Sequence, residues 1–489
     1  MNKKEPVSLV VSAILWCKDP QLSAVDKFFL IAAVIKYGND VVEERVKDLS
    51  ESLRLHESFV PKARNAWAEK GVVQMVPGAA NQAKRGRRIK AFRIDTDELV
   101  AAYVNDKLDG IATPSVVNAG MLKMLFCGLE QRERVRVKRK EFGSPLTVNN
   151  VVLLGVLVMV ADRTGCIFGH GAQSLRAMAG LNKSQFQYAL SSLASLGVLR
   201  NWLPGITGRH LFGKKPGVYW LNLGHAVFEG SRVNSIHILD RTTRGELSSI
   251  DGLYAQFRKY EVATEGARGR AKVIDRQRAE YEQMYGLPYG GHQFFLDSAW
   301  SRAQQHLKCL IARYACVLLE ITVEEWGAVA ADSENACSML ESASADLMAS
   351  IEKSMGSDTW RKKLHIWLET GDADKDLEEL LSEMASFLAY RSFRLASAAM
   401  AACKEGLSKY ELSYVLTAGT KFQIYPNHDA NGPYSGLSLG IWPGDPNVLS
   451  ASVLITKPAT TKEIDWERFD DERGIEPVIL YEMGLRKQP

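Results

Sequence analysis

The sequence has no CxxC pair, and its seven cysteines are an odd number in 489 residues. That argues against a disulfide framework and against a cysteine-bound zinc site. His306 and Cys309 stand one helical turn apart, as two metal ligands would, but no second pair accompanies them and buried packing explains them better. Long apolar runs are missing too: the longest, Val151–Ala161, is too short to cross a bilayer. Asn2-Lys3-Lys4 followed by an apolar run from Val7 to Trp16 looks faintly like an export signal. No small-residue cleavage site follows, Lys18-Asp19-Pro20 interrupts the run, and Trp16 before Cys17 is too bulky for a lipoprotein signal. A cytoplasmic, reducing location with no membrane partner is expected.

Catalytic signatures fail on inspection. Gly208-Arg-His-Leu-Phe-Gly213-Lys214-Lys215 nearly fits a phosphate-binding loop, but the Ser/Thr after the lysine is missing and Pro216 stops a helix from starting there. Gly436-Leu-Ser438-Leu-Gly440 has the spacing of a nucleophile elbow. That motif needs a following helix and a later histidine; Pro443 breaks the one and no histidine follows His428, so a strand is expected. Asn427-His428-Asp429 reads as a turn. No catalytic residue, metal ligand or cofactor is assigned, and the chain is expected not to be an enzyme.

Charge is present in both signs but unevenly. Residues 1–250 carry 35 Lys+Arg against 22 Asp+Glu, whereas 251–489 carry 26 against 35. A basic front half joined to an acidic rear half suits a portion that binds a polyanion attached to something else. The 46% hydrophobic content is that of an ordinary globular chain, and the length allows two to four domains.

The informative feature is a stretch that occurs twice. Residues 49–73 and 175–199 align without a gap at an offset of 126. Leu49 meets Leu175, Leu55 meets Leu181, Val60 meets Phe186, Ala63 meets Ala189, and Trp67 meets Leu193. Gly71-Val72-Val73 meets Gly197-Val198-Leu199. In each copy a short helix ends near Arg54 or Gly180 and a second starts at a polar cap, Ser58 in one and Asn182 or Ser184 in the other. The apolar positions line one face of that second helix. The glycine after it sits where a helix end needs a left-handed residue, and a β-branched pair then begins a strand.

This order resembles the winged helix-turn-helix DNA-binding family, over residues 20–223. The resemblance implies double-stranded DNA binding, with the second helix of each copy entering the major groove. Plasmid-type replication initiators, which also carry tandem winged helices, are a possible relative. The expected fold is mainly α with small β: two winged-helix domains followed by an α-helical region with a small antiparallel sheet. The expected division is 7–110 and 146–224 for the winged helices, with a basic linker over 111–145 between them. A connecting region over 225–295 and a C-terminal domain over 296–489 follow.

Along the chain, helices are expected over 22–37, 42–53, 58–70, 98–107, 146–163, 173–179 and 184–196, with strands over 72–76, 89–94, 198–202 and 218–223. The segment 7–17 reads as a strand or a short helix. Further helices are expected over 297–320, 324–355, 360–368 and 374–404, the last closed by Gly406. Strands are expected over 421–425, 437–442 and 450–456, ahead of an acidic tail at 463–476.

On the reading helices the resemblance points to Lys62, Arg64 and Asn65 in the first copy and Lys183, Ser184, Gln187, Tyr188 and Ser191 in the second. Asn and Gln can pair with adenine, Lys and Arg can read guanine or hold phosphates, and Ser and Tyr suit phosphate oxygens. Glu57 and Glu69 flank the first set. The loops between the strands carry Lys84, Arg85, Arg87 and Arg88 in one copy and Arg209, Lys214 and Lys215 in the other, cations suited to neutralising phosphates. The leading expectation is a site-specific DNA-binding transcriptional regulator whose C-terminal region oligomerises or binds a partner. A replication initiator and a protein–protein scaffold are the alternatives.

Overall fold

The computed structural model describes residues 7–76, 91–97, 99, 116–127, 146–206, 215–228, 233–240, 301–323, 345, 377–425, 437–445, 448–449, 452–457 and 467–469. The expected helices over 98–107, 324–355 and 360–368 lie essentially outside these residues. The fold is mixed, mainly helical with small sheets, and divides into two compact units. One holds residues 1–200 and 219–233; the other holds 201–218 and 234–488.

In the first unit, α1 (Val7–Trp16) leads to α2 (Ala24–Tyr37). Ser23 starts α2 with a reciprocal cap: its hydroxyl accepts from the Asp26 N–H at 3.3 Å, and the Asp26 carboxylate accepts from the Ser23 N–H at 2.8 Å. The helix expected over 42–53 begins later, as α3 (Val46–Leu53), because Val42 is taken by a strand-like bridge to Phe92. Then come α4 (Phe59–Glu69), β1 (Val73–Val76) and β2 (Ala91–Ile94), which pair antiparallel.

Part of the expected linker is a helix instead: α5 (Val116–Cys127) packs on α1, α2 and the following helix. That neighbour, α6 (Val148–Val160), is buried at every position from Asn150 to Met159, as its all-round hydrophobicity requires. Gly155 lets α5 close in, since a Cβ there would lie 2.7 Å from the Phe126 ring. The second copy continues with β3 (Cys166–Ile167), α7 (Ala172–Ala179), α8 (Lys183–Ser195), β4 (Leu199–Leu203) and β5 (Val218–Leu221), in a sheet of order β3-β5-β4.

The offset of 126 holds at the level of single hydrogen bonds. Leu55 N–H donates to Ser50 O and Leu181 N–H to Arg176 O, both at 3.0 Å. Val72 N–H donates to Trp67 O at 3.2 Å and Val198 N–H to Leu193 O at 3.1 Å. Arg54 (φ 51°) and Gly180 (φ 63°) make the same left-handed turn between the paired helices.

The two copies are locked together through α2. The Ala24 N–H donates to Gly180 O at 3.1 Å. The Lys27 ammonium, wholly buried, donates to the Cys17 and Met178 carbonyls, which lie at the ends of α1 and α7. Two carbonyl acceptors for the ammonium offset part of the cost of burying a lysine.

The second unit starts far earlier than residue 296. Its sheet has the order β10-β9-β6-β8-β7, and the central strand is β6 (Ile236–Asp240). This strand runs parallel to β9 (Val453–Lys457) and antiparallel to β8 (Leu437–Trp442), so the sheet is mixed rather than purely antiparallel. The edges are β7 (Lys421–Ile424) and β10 (Glu467–Phe469), the latter drawn from the acidic tail.

Two helices, α9 (Ser301–Thr322) and α10 (Leu377–Lys409), share one core with a face of this sheet that includes Ile236, Ile238, Leu439, Ile441 and Ile455. Gly406 does not end α10. The helix runs on to Lys409 because Leu407 is fully buried in that core, and a left-handed Glu411 (φ 56°) ends it instead. On the opposite sheet face His237 meets Trp442 edge-on at 5.8 Å, and Ser235 Oγ lies 3.0 Å from His237 Nε2.

Candidate nucleic-acid interface

The second helix of each copy, α4 and α8, is seated by its apolar stripe. In α8 that stripe is Phe186, Ala189, Leu190 and Leu193; in α4 it is Val60, Ala63 and Trp67, whose indole N–H donates to Asp26 O at 2.8 Å. Burial of these stripes fixes which residues remain outside.

On α8 all five expected residues are exposed: Lys183, Ser184, Gln187, Tyr188 and Ser191. Tyr188 is 69% exposed, the largest exposure among the large hydrophobic side chains described. The helix starts at Asn182, whose side chain accepts from Gln185 N–H at 2.9 Å while Gln185 Oε1 accepts from Asn182 N–H at 3.0 Å. Lys183 is the one charged residue on α8, so the exposed face carries no carboxylate.

On α4 Lys62 and Asn65 are exposed, but Arg64 is not. Its side chain is 5% exposed, and burial pulls its guanidinium pKa below the usual arginine range. Arg64 follows Ala63 on the inward side of the helix, so it is corrected from a DNA contact to a core-facing residue. Ser58 occupies the cap position with helical backbone (φ −65°, ψ −20°) and makes no capping bond. Its hydroxyl lies 2.9 Å from His56 Nδ1 instead. Glu57 and Glu69 are exposed beside Lys62 and Asn65, giving this face both signs of charge. Lys70, at the end of α4, is held by Asp19 at 2.6 Å and Gln21 at 2.7 Å.

The cations expected between the strands, Lys84, Arg85, Arg87, Arg88, Arg209 and Lys214, lie outside the described residues. Lys215 is described and is half-buried at the base of its hairpin, where Ile206 and Lys215 exchange backbone hydrogen bonds at 3.0 and 3.1 Å. Burial first, and Arg313 nearby, lower its pKa from the usual lysine value. The outer part of this hairpin, Asn201–Val218, groups with the second unit, where His306 Nε2 lies 2.9 Å from Pro204 O.

Sequence reasoning missed Arg313 beside Lys215 and the exposed Phe59, 43% accessible and edge-on to His56 at 6.1 Å. Arg313 belongs to a helix a hundred residues downstream, and nothing in its local sequence links it to the hairpin. Phe59, directly before Val60, reads as part of the apolar stripe.

His306 and Cys309 are both buried, and burial pushes the Cys309 thiol up to about 12. Ser438 lies within β8, as a strand residue. Among the described residues no group of three His, Cys, Asp or Glu side chains could hold a metal ion, and no helix is long and apolar enough to cross a membrane. Comparison with known proteins returns no matching family model, no matching curated protein and no matching solved structure.

Proposed function

We propose that the protein reads double-stranded DNA through two winged-helix domains in tandem and acts as a transcriptional regulator, with the second unit supplying oligomerisation or a partner site. One observation carries the reading. The order helix, bridging strand, helix, left-handed turn, helix, left-handed glycine, strand, returning strand occurs twice with corresponding backbone hydrogen bonds. In both copies the strand before the paired helices bridges to the returning one, Val42 to Phe92 and Cys166 to Trp220. That leaves the third helix of each copy presenting a polar face, the arrangement that suits major-groove reading.

The test is selection of bound duplexes from a randomised pool at low and near-physiological salt, followed by titration of the selected duplex. A motif that survives the higher salt is expected. Replacing Arg85, Arg87 and Arg88 together by alanine should weaken binding to every sequence and flatten the log–log salt slope by about 0.9 for each phosphate no longer neutralised. Weak binding with no enriched motif, and a slope the triple variant leaves unchanged, would refute the reading and favour a protein–protein scaffold.

The packing of the helices of both copies into one compact unit also suits a replication initiator. That reading requires the bound DNA to become sensitive to single-strand probes beside the site, whereas a regulator leaves it closed.

A further inference from the structure

The two reading helices share a scaffold but not a chemistry. At the offset of 126, every buried position of α4 (Val60, Ala63, Arg64 and Trp67) is buried again on α8, which buries Ser192 besides, and the turns before and after them correspond too. The exposed positions do not. Lys62 corresponds to Tyr188 and Asn65 to Ser191. Glu57 corresponds to Lys183 and Glu69 to Ser195, so the carboxylates that flank the first face have no counterpart on the second.

The chemistry each face can recognise therefore differs. Lys62 and Asn65 offer an ammonium for guanine and an amide for adenine, with Glu57 and Glu69 on hand to accept from cytosine N4. The second face offers Lys183 at its start for guanine or a phosphate, the Gln187 amide for adenine and a ring at Tyr188 that suits a thymine methyl, and no carboxylate. Nor can the two faces reposition independently. The turn before α8 is seated against the start of α2, where a Cβ on Gly180 would lie 2.5 Å from Leu22 O. Lys27 joins the ends of α1 and α7, and α2 packs on both α4 and α6.

We infer that a single chain takes one asymmetric composite site on duplex DNA: two half-sites of unlike sequence, in fixed order and at fixed spacing. The inference rests on the DNA-reading function proposed above. A palindrome or a tandem repeat of one half-site would offer like edges to unlike faces.

The experiment starts from the selected duplex and the full-length protein. Binding is measured after exchanging the halves, after duplicating either half, and after inserting five base pairs, which turns one half to the far side of the helix. Each change should weaken binding about fivefold or more for every bidentate base pairing it removes. Asn65→Ala should relax sequence preference in one half only and Gln187→Ala in the other, with one chain bound per site by mass measurement. A selected motif that is palindromic or repeated, or an insertion tolerated within a few-fold, overturns the inference while leaving DNA reading intact. Absence of any selected motif removes the DNA-reading function itself, and this inference with it.

Discussion

Replacing Gly180 by alanine separates two costs that other positions in the repeat carry one at a time. Gly180 has φ 63°, so any L-residue pays for left-handed backbone, roughly 1 kcal/mol. Its added Cβ would also lie 2.5 Å from Leu22 O, 2.7 Å from Ser23 C and 2.8 Å from Ala24 N. These are backbone atoms at the capped start of α2 and cannot swing aside as a side-chain tip can. Overpacking of this kind costs a further ~1–3 kcal/mol. Gly180→Ala should therefore destabilise the first unit by about 2–4 kcal/mol. Gly197, at φ 74° with nothing within 4 Å of its Cβ position, should lose only the backbone share, about 1 kcal/mol. Arg54 occupies the corresponding turn without being glycine, so Arg54→Gly should stabilise by roughly 0.5–1 kcal/mol. Urea unfolding of the three variants, followed by tryptophan fluorescence, gives the order directly. If Gly180→Ala costs no more than Gly197→Ala, the close approach of the second copy to α2 is refuted.

Two further perturbations probe the same unit. Burial lowers the Lys27 pKa to about 8, with Cys17 and Asp19 nearby acting in the opposite direction. Between about 8 and the ordinary lysine value near 10.4, the unfolded chain holds a proton that the folded chain lacks, so stability rises with pH across that window, by ~3 kcal/mol in all. Urea midpoints of the wild type and Lys27→Met at pH 7.5 and 10 should converge or cross in favour of the wild type as pH rises; parallel behaviour would refute the assignment. Ser23→Ala and Asn182→Ala each remove a reciprocal cap and should cost about 1 kcal/mol, whereas Ser58→Ala, whose hydroxyl caps nothing, should cost less; equal losses would contradict the cap geometry.

What could be read from the sequence was local. The paired helices were legible because their stripes, turns and glycines lie within 25 consecutive residues and recur at one offset. The exposed residues of α8 followed from its periodicity, and so did Lys62 and Asn65 on α4. Arg64 did not, because a long basic side chain next to an apolar stripe is ordinarily assigned to the surface. The helix Val116–Cys127 was hidden: its apolar residues are spread around the helix and give no periodic signal before the basic stretch at 132–140. Gly406 misled because a glycine near a helix end usually stops it, whereas here the burial of Leu407 carries the helix onward. The strand Ile236–Asp240 was missed for the opposite reason to the repeat: everything that makes it a strand is far away in sequence.

That distance bears on how the protein is made. Strand Ile236–Asp240 finds its neighbours, around Leu439 and Ile455, about 200 residues later in the chain. At the usual 5–20 residues per second of synthesis, roughly 10–40 s pass between its emergence from the ribosome and theirs. The first unit has its helices and hairpins in hand long before then and can fold as it is made. The second must keep a strand that is buried at all five positions in the finished molecule out of wrong pairings until residues 437–457 appear. Its sheet therefore cannot close until residues 437–457 have been made, and the strand needs shielding from wrong pairings during that wait.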